Sequence, residues 1–186
     1  MSVVQKRDFD LAALSVNEII SFGSVILLKN GVFYFFKNEL SAISIIDSGQ
    51  VKAIVRQCKA VFFLCIGHWS VMYALSKTVF LFDSTAYFAV LDELRMNGVF
   101  VERGNAYAYQ AVGPQDKFCG QYCILAKKLI ETTNFGDVDS LLQRFLVPHD
   151  FEANMFKMQV MTVKLCVGQE FRNSDIIHFI NELESL

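Results

Sequence analysis

The residue with the most chemistry to offer is Cys119. It follows a Gly113-Pro114 turn and the polar loop Gln115-Asp116-Lys117, and it opens a run with helical spacing. Phe118, Tyr122, Leu125 and Leu129 fall on one face of that helix, while Lys127 and Lys128 fall off it. At a helix N-terminus the unpaired N–H groups and the positive end of the dipole favour a thiolate, which is the nucleophilic form. Most cysteines are small buried apolar residues and nothing more. Cys119 differs in what lies upstream. His68 stands in Gly67-His68-Trp69 after one apolar run, and Asp83 ends another. A thiol needs a base to take its proton, and that base needs a third group to hold its tautomer and orientation. With residues 70–82 folded as a hairpin, its two ends lie side by side at the strand spacing of ~5 Å, so His68 and Asp83 can meet. The plainer alternative is a hydrogen-bonded edge histidine and a turn or capping aspartate.

Those residues depend on elements that are legible to different degrees. Ala60–Ile66 reads as a buried strand, with Ser70–Leu75 and Thr78–Phe82 following around a Ser76-Lys77 turn. Upstream, Ser24–Leu28 and Val32–Phe36 flank Lys29-Asn30-Gly31, a hairpin signal. Helices are expected over 8–20, where Ser15 and Glu18 fit a capping box and a later start, and over 39–47 and 87–96. Further strands are expected at 99–102 and 106–112 around Arg103-Gly104-Asn105, and further helices at 138–146, 151–165 and 174–183. Strands in the middle with helices at both ends predict an α+β fold, a mainly antiparallel central sheet flanked by helices.

Composition narrows the function. One domain over 1–186 is expected, with only two prolines and no segment that resembles a linker. Apolar residues make up 53% of the chain, yet no apolar run reaches bilayer length and the N-terminus is not a signal peptide, so no membrane role is expected. Charge is nearly balanced, 17 Lys+Arg against 19 Asp+Glu, so no basic stripe announces nucleic acid. The five cysteines, an odd number, argue for reduced thiols rather than a disulfide framework. Neither Cys119/Cys123 nor Cys65/His68 has zinc-knuckle spacing, and no metal or other cofactor is implied. His149 and His178 have no acid and cysteine partners in view and read as surface residues.

Two stretches together resemble the adenovirus-type processing proteases (adenain), which are related to the SUMO proteases. Gly67-His68-Trp69 followed by Ser76-Lys77-Thr78-Val79-Phe80-Leu81-Phe82-Asp83 looks like that family's Gly-x-His-Trp segment and its Ser-Lys-Thr-x-Tyr-Leu-Phe-Glu strand. Gly113-Pro114, four residues, Cys119-Gly120, two residues, Cys123 is similar to its nucleophile loop. The order His, acid, Cys agrees, and the likeness covers roughly residues 60–130. It implies His68 as general base and acid, Asp83 as its orienter, Cys119 as nucleophile, and Trp69 beside the substrate cleft. Cys123, one turn on, reads as packing.

The pattern departs from the family in three places. The acid is Asp rather than Glu. The family's oxyanion glutamine is replaced by Val112, leaving Gln115 in the loop, Gln110 on the preceding strand, or the Trp69 region or backbone groups to complete the hole. Residues 84–118 contain no cysteine, so activation through a disulfide-linked peptide is not expected. The resemblance implies a cysteine endopeptidase of a virus, or of a Maverick/Polinton-type element, that cleaves capsid and other structural precursors after small residues during virion maturation. It would work in host cytoplasm or a viral factory and be packaged in the virion. A deconjugase acting on SUMO-like tails and a catalytically silent capsid-associated protein are the alternatives. The sequence identifies no activating peptide or nucleic acid.

Overall fold

The structure, a computed structural model, describes residues 14–37, 39, 42–113, 116–132 and 137–167. Among these, seven strands form one sheet in the order β3-β2-β1-β4-β5-β6-β7. They are β1 (Val25–Lys29), β2 (Val32–Phe36), β3 (Ile43–Ile46), β4 (Ala60–Cys65), β5 (His68–Leu75), β6 (Thr78–Phe82) and the two-residue β7 (Glu102–Arg103). The helices are α1 (Val16–Ile19), α2 (Ser48–Cys58), α3 (Ala89–Met96), α4 (Cys119–Thr132), α5 (Val138–Leu142) and α6 (Phe151–Val167).

Strands buried on both faces must be apolar almost throughout. In β4, Ala60 and Phe62 face the layer that holds α4, while Val61, Phe63 and Cys65 face a second core that holds Val51 and Val55 of α2 and Leu91 and Leu94 of α3. β5 alternates likewise: Trp69, Val71 and Tyr73 lie on the α4 side and Met72 opposite. The continuous apolar runs in the sequence therefore mark a sheet covered by helices on both sides.

The fold is α+β, as expected, but its sheet is mixed rather than mainly antiparallel. β1 pairs with β4 in parallel, and β6 with β7. The first parallel pair arises where a helix was expected at 39–47. Ile43–Ile46 instead pairs with β2, Phe36 opposite Ile43 and Phe33 opposite Ile46. Pairing of three isoleucines on an open sheet edge outweighs the coincidental helical spacing. Asp47 then caps α2: its carboxylate accepts from the Gln50 N–H at 3.0 Å, and the Gln50 side chain accepts from the Asp47 N–H at 2.9 Å. α2 returns the chain so that β4 runs alongside β1.

At the other edge, neither expected strand forms in full; the pairing shrinks to Glu102–Arg103 and residues 106–112 are irregular. Gly104 explains the break. It lies so close to β6 that a Cβ there would sit 2.8 Å from the Leu81 carbonyl and 2.6 Å from the Tyr73 hydroxyl. Its N–H donates to that carbonyl at 2.7 Å, and the next residue continues the contact with its side chain instead of its backbone. The Asn30-Gly31 hairpin is present, with Lys29 opposite Val32. α1 starts at Val16, where the Glu18 carboxylate accepts from the N–H and hydroxyl of Ser15. α5 stops at Leu142, short of the expected 146, and the 174–183 stretch lies outside the described residues.

Candidate active site

His68 and Asp83 meet because of strand register. β4 and β5 form a two-residue hairpin with Cys65 opposite His68, and β5 and β6 form a second with Phe82 opposite Val71. Asp83 thus emerges beside Ser70, on the face that also carries His68 two residues away. His68 Nε2 lies 2.9 Å from Asp83 Oδ1. Asp83 is 1% exposed, and the His68 side chain 24%.

Asp83 is held from every side. Its Oδ1 also accepts from the Thr85 N–H at 3.0 Å and hydroxyl at 2.8 Å, and its Oδ2 accepts from the Phe88 N–H at 3.0 Å. Burial raises its pKa, but His68 and Thr85 outweigh that and keep it below the ordinary carboxylate value. The Asn105 side chain grips its backbone: Oδ1 accepts from the Asp83 N–H at 3.0 Å, and Nδ2 donates to the Asp83 carbonyl at 2.7 Å. This two-way amide pair replaces a ladder rung just where β7 stops.

Cys119 is the first residue of α4, buried at 8% exposure, and it lines the same cleft as His68 and Asp83. Burial lowers the His68 pKa, but hydrogen bonds with Asp83 and Cys119, and the charges of both, push it up to about 10. An imidazolium is therefore the favoured form across neutral pH. The start of α4 is fixed by Asp116, whose Oδ1 accepts from the Phe118 N–H at 3.0 Å and whose Oδ2 accepts from the Tyr122 hydroxyl at 3.4 Å. Burial raises the Asp116 pKa despite both bonds. Cys123, one turn on, is fully buried in the core, and burial raises its thiol well above the ordinary value.

The other sequence candidates fall in different places. Trp69 lies on the opposite strand face from His68, 2% exposed, its Nε1 donating to the Leu14 carbonyl at 2.8 Å and its ring edge-on to Phe62. It belongs to the core, not to the cleft, because successive strand residues point opposite ways. Gln110 does line the cleft, but both ends of its amide are occupied: Oε1 accepts from the Ser84 hydroxyl, and Nε2 donates to the Asp116 carbonyl at 2.8 Å. It ties the Asp83 loop to the loop before Cys119, and that bond takes up one of its two amide hydrogens. Residues 106–112 form no regular strand, so Gln110 does not stand on the strand expected before the Cys119 loop. Gln115 lies outside the described residues. His149 is exposed, edge-on to Tyr107 and Phe151.

Asn105, Thr85, Ser84 and Asp116 are positioning residues that sequence reasoning passed over. Only Asn105 carried a signal, the Arg-Gly-Asn turn, and that signal spoke of a turn rather than a clamp. Cys58, Cys65, Cys119 and Cys123 are free thiols, and burial, with Glu93 nearby, pushes Cys65 up to about 11. Among the described residues no cluster of three or more His, Cys, Asp and Glu side chains could hold a metal ion, and no helix is long and apolar enough to cross a membrane.

The class defined by this arrangement is a thiol, an imidazole and a carboxylate converging on one cleft of a mixed α+β sheet. Comparison with known proteins adds no relative: no family model, curated protein or solved structure matches the chain.

Proposed function

We propose that the chain is an adenain-like cysteine endopeptidase that cleaves viral structural precursors during virion maturation. The observation that carries the reading is the His68–Asp83 contact of 2.9 Å in a cleft shared with Cys119 at the first turn of a helix. In the proposed reaction the Cys119 thiolate attacks the scissile carbonyl carbon and forms the C–S bond. The carbonyl oxygen takes the negative charge, and in this reading unpaired backbone N–H groups of the first turn of α4 supply donors to it. His68, held as imidazolium, gives its proton to the departing amine, which leaves as the C–N bond breaks. Neutral His68 then takes a proton from water, whose oxygen attacks the thioester; the acid product leaves and the thiolate–imidazolium pair is restored. Asp83 holds the imidazole throughout.

The viral source and the precursor substrates come from the sequence resemblance. The test is to incubate the protein with capsid precursor of the virus that encodes it and to map new termini by mass spectrometry. New termini after small residues that disappear with Cys119→Ala support the reading. Labelling of Cys119 by a SUMO or ubiquitin-like electrophilic probe, with the precursor untouched, moves the substrate to a modifier tail instead.

A further inference from the structure

Two hairpins of this sheet turn through the same backbone geometry with different residues. β1–β2 turns through Asn30 (φ 52°) and Gly31 (φ 75°), and β4–β5 through Ile66 (φ 51°) and Gly67 (φ 68°). Positive φ at both central positions is the type I′ turn, for which Asn-Gly is preferred. A β-branched residue in that region is a steric outlier. Ile66 accepts this strain while 73% exposed, so burial does not compensate it. The Asn-Gly turn lies outside the cleft; the Ile-Gly turn lines it, two residues before His68.

Exposed apolar side chains recur on the other walls, with backbone strain again beside Tyr87. Tyr87, 69% exposed, sits between Ala86 (φ 52°) and Phe88 (φ 56°), on a loop fastened by Thr85 and Phe88 to Asp83. Val112, 66% exposed, precedes Gly113 (φ 126°). All three line the cleft of about 350 Å³ that holds His68 and Cys119, and Lys117 is the one exposed charged residue among the described lining. Two strained loops, and a third that turns at a glycine, thus present apolar side chains to solvent around the reacting groups. Three side chains fall far short of the ~800 Å² per partner of a stable protein complex, which argues against a second copy and fits a short peptide segment.

We infer that Ile66, with Tyr87 and Val112, is a substrate-reading rim that grips uncharged apolar side chains of an extended polypeptide beside the bond presented to Cys119. This rests on the endopeptidase reading. Ile66 keeps a strained, exposed turn because that turn serves binding rather than folding.

The probes are two tetrapeptidyl acyloxymethyl ketones, alike in ending with glycine and differing by Leu or Asp at the preceding positions. Cys119 labels by displacing the acyloxy carboxylate, forming a thioether, and the rate is read by intact mass. The Leu probe is expected to label the parent at least ~10-fold faster than the Asp probe, as apolar pockets discriminate. In Ile66→Asn, which restores an Asn-Gly turn, that ratio should collapse, the melting temperature should rise, and alkylation by iodoacetamide, too small to reach the rim, should be unchanged. A preserved ratio, or a lower melting temperature, overturns the inference and leaves the endopeptidase reading standing. A Cys119 that neither iodoacetamide nor either probe labels overturns the endopeptidase reading and the rim with it.

Discussion

Replacing Asp83 with asparagine separates the charge of the acid from its shape. The gap between an ordinary histidine near 6.5 and His68 at about 10 corresponds to on the order of 5 kcal/mol of preference for the imidazolium, won against burial by Asp83 and Cys119 together. Asp83→Asn removes one of those two charges, so His68 should titrate well below 10. A raised histidine contributes stability that is fully present below 6.5 and is lost as pH climbs through about 10. The parent should therefore lose unfolding free energy over that window, and the variant should lose much less. The variant should also be weaker at neutral pH. With its oxygen kept on His68 and Thr85, the asparagine turns its NH₂ against the Phe88 N–H; flipped, it meets the Thr85 N–H. Either way a buried donor goes unsatisfied, at about 1–3 kcal/mol. The assays are imidazole NMR titration and urea unfolding across pH. A His68 that still titrates near 10 in Asp83→Asn would refute the assignment of its charge partner.

Other outcomes follow from the same contacts. His68→Ala should leave less activity than Asp83→Asn, because in the proposed reaction only His68 moves a proton; equal and total loss in folded protein would give Asp83 a further role. Asn105→Ala should lower unfolding free energy by about 1–3 kcal/mol, since it strips both partners from the Asp83 backbone; an unchanged urea midpoint would count against the clamp. Gln110→Met should lose stability while turnover falls far less than the ~10²–10³ expected for an oxyanion donor; a loss of that size would make Gln110 a donor after all. Cleavage should persist in reducing buffer, and activity confined to oxidising conditions would contradict a mechanism without a linked peptide.

Much of the site was legible because it is local. The hairpins around Gly67 and Ser76 are fixed by turn chemistry and period-two patterning, and those alone bring His68 to Asp83. The position of Cys119 followed from helical spacing in the residues after it. What could not be read is what depends on distant partners. The 43–46 strand exists only because β2 offers an edge, and the 106–112 stretch is irregular because Gly104 docks on β6 through its backbone N–H and Asn105 on Asp83 through its side chain. Side-chain amides that fasten loops have no periodicity to reveal them, so the sequence does not show that Gln110 joins Ser84 to Asp116. The family resemblance implies Trp69 beside the cleft, whereas strand alternation turns it to the core.

The central claim is that one thiol of this protein is activated by a histidine. Alkylation by iodoacetamide at neutral pH, resolved by peptide mapping, measures that directly. Cys119 should react about 10² times faster than the half-buried Cys58, whose thiol burial raises, and the excess should vanish in His68→Ala. If Cys119 reacts no faster than Cys58, or equally fast without His68, the site does not work as described.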